Sequence, residues 1–338
     1  MLKRLAMIAA LLWPAALPAA EHGALVEKVL EAHILPGFAG FAEKAAALDA
    51  AAEADCAPGS DALRAAYQGA FDAWMGVSHL RFGPTEEGDR AFALAFWPDT
   101  KGFTPKTLRS LIGAEDSAVE SAGAFAHVSI AGRGFFALEF MLYDPEFADI
   151  GAPAYRCALI RAIARDIDAN AGEIARDWQG RYAALMRNPG AESPYRSGEE
   201  AVQELFKALL AGLQFTSDTR LGRPLGTFER PRPNRAEARR SGRSLRNVAQ
   251  SLEALKALAL LLSDGHPAVA ASLQGAFDEA LGLARDLDDP VFAGVAEPGG
   301  RLRVEILQQS IDRIRERAGS ELGPYLGVDA GFNSLDGD

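Results

Sequence analysis

The sequence predicts an all-α protein, on three observations. Every patterned segment repeats its apolar residues at steps of three and four, the period of a helix with one buried face. Helix punctuation recurs, with Ser, Thr or Pro at the starts and Gly or Pro just past the ends. No strand-forming run of convincing length appears, and β-branched residues are sparse. The 338 residues are enough for two domains of ordinary size.

The N-terminus reads as a secretory signal peptide, residues 1–20. Lys3 and Arg4 precede an apolar run over 5–13 that is too short to span a bilayer, and small residues over 15–20 allow cleavage near Ala20. A periplasmic protein is expected. No later segment approaches about 18 uninterrupted apolar residues, so no transmembrane segment is expected in the mature chain. The net charge of -11 argues against nucleic acid as a partner. Cys56 and Cys157 are the only cysteines. In an oxidising compartment they are expected to pair, with two buried free thiols as the alternative.

Residues 21–55 carry the stripe Val26, Val29, Leu30, Ile34, Phe38, Phe41, Ala45 and Leu48, and Pro36-Gly37 should kink or break that helix. Ser60 can cap a helix over 61–79 whose inner face is Leu63, Tyr67, Ala70, Phe71 and Trp74. Residues 80–104 are irregular and aromatic-bearing, a kind of connection that is often functional, although Trp97 reads equally as a core plug. Thr104 as N-cap and Pro105 open a helix ending near Gly113, and a short helix covers about 114–123. A helix over 134–143, a loop over 144–153 and a long amphipathic helix over 154–186 follow. Residues 188–194 are rich in breakers. They predict a boundary between an N-terminal helical domain, 21–188, and a C-terminal one, 195–338.

Ser197 with Glu200 makes a capping box, and Gly222 can end the helix it starts. Residues 220–246 hold nine arginines in an otherwise acidic chain. A solvated loop leading into a charged helix face accounts for them; an anion site or a docking patch is the functional alternative. A helix over about 235–262 carries Leu245, Val248, Leu252, Leu255 and Leu262, with Ser241 on the same stripe and Ser244 and Asn247 beside it. Inward polar groups at one end of a core stripe suggest a polar pocket. Two further helices cover about 267–287 and 301–318.

Residues 132–143, Gly-Arg-Gly-Phe-Phe-Ala-Leu-Glu-Phe-Met-Leu-Tyr, organise the rest. From 135 to 142 the only charge is Glu139, on a helix apolar on every face and therefore expected to be buried. A lone buried carboxylate needs a cation, a metal or several donors, or it keeps its proton. Candidate partners are Arg81, Arg133, Ser241 and Ser244, with Asn247 nearby, or a bound cation.

The same stretch resembles the GxHxxE motif of the imelysin family, peptidase M75, which includes the EfeO-like iron-uptake proteins. Gly134 and Glu139 match the motif, and Phe136 stands at the His position. The 220–226 segment and the ending Gly-Phe-Asn…Asp-Gly-Asp resemble family segments as well. The resemblance implies two helical-bundle domains packed against each other, with the motif helix at their interface. It implies a periplasmic accessory or binding protein of iron uptake, with a metal ion at Glu139 or an envelope protein as partner. An M75 metallopeptidase and a non-catalytic interaction module are the alternatives.

The zinc-protease spacing H-E-x-x-H is absent, and no phosphate loop or nucleophile elbow occurs. No catalytic residue is assigned, and replacement of the motif His by Phe136 leans against an enzyme. The five histidines are scattered, with His79 the most interesting. Asp144, Asp149, Asp336 and Asp338 offer oxygen ligands to a hard cation, with solvation of loop and tail as the simpler account.

Overall fold

Residues 19–328 are described by a computed structural model of the chain. Helices build it: among the described residues the β pairing is a single isolated bridge, Thr227 to Arg230. The longer helices are α1 (Ala19–Val29), α2 (Leu35–Ala54), α3 (Asp61–Val77), α4 (Phe103–Ala114), α5 (Gly134–Tyr143), α6 (Pro153–Asp177), α7 (Gly198–Gln214), α8 (Ser244–Leu262), α9 (Pro267–Leu287) and α10 (Pro298–Arg317). The expected leader lies outside the described residues, apart from Ala19 and Ala20, which open α1. The ending over 329–338, with Asp336 and Asp338, also lies outside them.

Local signals explain most of the boundaries. Ser60 caps α3, its Oγ accepting from the Leu63 amide, and Leu63, Tyr67, Phe71 and Trp74 are buried as the stripe requires. Ser197 caps α7 in the same way, while Glu200 reaches back to the Arg196 amide at 2.7 Å.

Four expectations are corrected. Pro36-Gly37 does not break the first helix. A π turn, Leu30–Ile34, joins α1 to α2 and leaves Pro36 in the first turn of α2, where its missing N–H is not needed. Helix α4 starts at Phe103 rather than after Thr104. Asp99 caps it from outside, accepting from the amides of Phe103 (2.9 Å) and Thr104 (2.8 Å). Gly222 does not stop α7; a π turn, Phe215–Leu221, and a short helix, Gly222–Leu225, extend it, and Gly226 ends it at φ 58°. Helix α8 starts at Ser244, not near 235, because Ala238 at φ 47° and Gly242 at φ 72° fold the preceding residues into turns.

In the first part of the chain α2 packs along α3 and α6, and α5 lies against α3, α4 and α6. In the second part α8 packs on α9, α9 on α10, and α7 on α8 and α10. Helix α1 lies on α7 and α8, and α3 meets α8, so the two parts share a broad seam. Cys56, just past α2, is bonded to Cys157 in the first turn of α6, with Cα atoms 5.2 Å apart. One turn further along α6, Arg161 donates to the carbonyls of Ala52 (3.3 Å) and Glu53 (2.8 Å), which the end of α2 leaves unpaired. Bridge and arginine together fix α2 against α6.

Candidate functional site

Gly134 opens α5 at φ 71°, and a Cβ there would sit 2.2 Å from the Ala93 carbonyl oxygen and 2.3 Å from that of Leu94. Only glycine allows this approach. It lets α5 run through the interior with every face covered. Phe135 stacks on Phe71, ring centroids 4.5 Å apart, and Phe136 meets Phe71 edge-on while stacking on Trp97. The Phe136 ring thus fills a slot between aromatic neighbours, and it has no lone pair.

Glu139 is 2% exposed. Its Oε1 accepts from the Ser241 amide (2.9 Å) and the Ser241 hydroxyl (2.7 Å). Burial pushes its pKa up, opposed by the Ser241 hydrogen bonds and by Arg240 and Arg239. Of the partners expected from the sequence, Ser241 is the one that meets it. It does so from a turn rather than from the helix stripe that suggested it.

The others are placed elsewhere. Arg81 is exposed and pairs with Glu86. Arg133 pairs with Asp166 at 2.6 Å. The Ser244 hydroxyl donates to the Glu237 carbonyl at 2.5 Å. Asn247 accepts from Arg243 at 3.0 Å. Asp144 is committed to the Glu146 amide and to Arg240, at 3.1 and 2.6 Å, and Asp149 is exposed. His79 is buried, with Nε2 3.0 Å from that of His33. Burial lowers His33 to about 4 and His79 well below its usual value, so both rings are neutral near pH 7.

Two cavities flank α5, with Phe136 and Trp97 in the wall of both. The larger, about 410 Å³, lies between His79, Phe92 and α7, and includes Glu204, Lys207 and the buried pair Arg220–Glu237. The smaller, about 220 Å³, has Glu139 in its wall together with Asp99, Phe140 and four arginines, Arg223, Arg235, Arg239 and Arg240. Sequence reasoning counted these arginines without placing them. Their common destination arises from turns at Ala238 and Gly242 that no periodicity announces.

Glu139→Gln keeps the oxygen that accepts from Ser241. In the wild type the raised pKa means that the folded state holds the proton more tightly than the unfolded chain. The contribution of Glu139 to wild-type stability therefore declines as pH rises from the ordinary carboxylate range through its native pKa. The glutamine variant has no such loss. Denaturant titrations from about pH 4 to about pH 8 should show the stability difference moving in favour of the variant. A difference independent of pH would contradict a buried, titrating Glu139.

An all-helical scaffold with a single buried carboxylate on its central helix, facing an arginine-rich turn, is the class defined by fold and site. The chain belongs to the imelysin family, peptidase M75, whose profile matches residues 34–318. It is 23% identical over 322 residues to iron-regulated protein A of Synechococcus elongatus, covering 89% of this chain and 85% of that one. Its fold matches an imelysin-like protein from Psychrobacter arcticum with a TM-score of 0.79 at 21% identity, over 94% of this chain and 100% of that one. It also matches a protein from Parabacteroides distasonis, named as an iron-regulated protein A precursor, with a TM-score of 0.75 at 14% identity, over 92% and 96% of the two chains.

Proposed function

We propose that this chain is a periplasmic accessory or binding protein of iron uptake, and that its ligand is held beside Glu139 where two helical domains, 21–188 and 195–338, meet. The observation that carries the reading is Glu139 itself: a carboxylate in the wall of a cavity, on the helix that carries the family motif. The iron connection is supported by the names of the related proteins. The disulfide and the leader pattern support an oxidising compartment outside the cytoplasm.

Iron is cargo in this reading. The donor set at Glu139 does not suit a bare ion. Phe136 replaces the motif's imidazole, and no group of three His, Cys, Asp or Glu able to hold a metal occurs among the described residues. A catalytic zinc needs three protein ligands and an open position. The metallopeptidase reading therefore ranks second, and an interaction module without a small ligand ranks third.

Mature protein mixed with ferric iron, both as the ion and as carboxylate chelates, should retain iron in at least one form after gel filtration. No retention in any form overturns the reading. Metal-dependent peptide cleavage that disappears in Glu139→Ala would put the peptidase first.

A further inference from the structure

Seven of the nine arginines over 220–246 fall into two groups, while Arg230 and Arg232 are exposed. Arg220, Arg240, Arg243 and Arg246 pair with Glu237, Asp144 and Asp72 and hold the seam. Arg223, Arg235 and Arg239 line the small cavity, and their side chains make no ion pair or hydrogen bond among the described residues. The Nε atoms of Arg223 and Arg239 are buried without a partner. Buried polar groups are normally satisfied, so two orphaned guanidinium donors on residues that line one cavity mark an unfilled requirement for acceptors.

The local charge balance points the same way. Asp99 spends both carboxylate oxygens on the amides of Lys101, Phe103 and Thr104. Glu139 is buried and spends Oε1 on Ser241. Burial and the neighbouring Arg235 lower the pKa of Arg223, as expected of crowded cations without counter-charge.

We propose that this cavity binds a small organic polycarboxylate, gripped by Arg223, Arg235 and Arg239. The guanidinium fork matches a carboxylate in two-point geometry. Trp97, Phe136 and Phe140 supply an apolar wall for a carbon skeleton, which inorganic phosphate would leave unused. The assignment deepens the interface-site reading, on which it rests for the location. It also supplies what the protein's own donors lack, since a hard cation could arrive inside an anionic oxygen chelate.

The test is calorimetric titration of the iron-free mature protein with tricarballylate, citrate and inorganic phosphate. Tricarballylate or citrate should bind more tightly than phosphate. Arg239→Gln and Arg223→Gln should each weaken binding tenfold or more, and Arg235→Gln, at an exposed position that tolerates change, should weaken it severalfold. Absence of polycarboxylate binding, affinities unaffected by the three arginine changes, or tighter binding of phosphate would each overturn the assignment. Iron retained without any polycarboxylate binding sinks this inference alone. Polycarboxylate binding without any iron retention upholds it and removes the iron reading.

Discussion

Arg243→Ala should destabilise the protein by about 3–5 kcal/mol, the usual consequence of removing one partner from a buried charge network. The side chain of Arg243 has no exposure. Its Nε donates to Asn247 (3.0 Å), Nη1 to the carbonyl and side-chain oxygens of Gln68 (3.1 and 2.5 Å), and Nη2 to Asp72 (2.8 Å). The guanidinium also lies over the Phe71 ring, 4.5 Å from its centroid. Truncation strips the Gln68 oxygens of these donors and leaves Asp72, which is partly exposed, with Arg246 alone. Arg243→Lys should recover only part of the loss, because one ammonium cannot reach all three partners with the fork geometry. Chemical denaturation decides it: a change below about 1 kcal/mol for the alanine variant would mean that the network contributes no more than an exposed pair.

The second large effect concerns Cys56 and Cys157. Replacing both by Ser should lower stability by about 5 kcal/mol, the chain-entropy figure for a bridge spanning 101 residues. That span encloses α3, α4 and α5, so the unfolded chain gains most where Glu139 resides. The variant should unfold at lower denaturant, and reduction of the wild type should reproduce the shift. Equal midpoints for oxidised and reduced wild type would refute it.

Much of the fold was legible because helix signals are local. The stripe of α3, the Ser60 and Ser197 caps and the all-apolar α5 each lie within one or two turns of sequence. The failures share one physical cause, tertiary structure overriding a local signal. Pro36 is tolerated because a π turn adjusts the backbone just before it. Asp99 outcompetes Thr104 as a cap through a loop that brings it back to the helix start. The site was half legible. Isolation of a charge on an apolar helix picked out Glu139, and Ser241 was named for the wrong geometrical reason. The roles of Arg223, Arg239 and Arg243 depend on turns with positive φ, and composition shows such arginines only as an excess of charge.

One contact has a consequence for topology. The His22 ring places Nε2 3.0 Å from the Leu326 carbonyl oxygen, so the first helix and the end of the described chain lie side by side. In connectivity the described chain is nearly a closed ring, its two ends meeting at this contact. Sewing that gap with a short linker adds little loop entropy. The breaker-rich residues 188–194 then offer a natural place to cut a circularly permuted version, whose first helix would be α7 and in which α1 would follow α10 and the helical turns after it, Ala318–Leu322 and Gly323–Leu326. Such a rearranged chain keeps every contact around Glu139 while reversing which half emerges first from the ribosome.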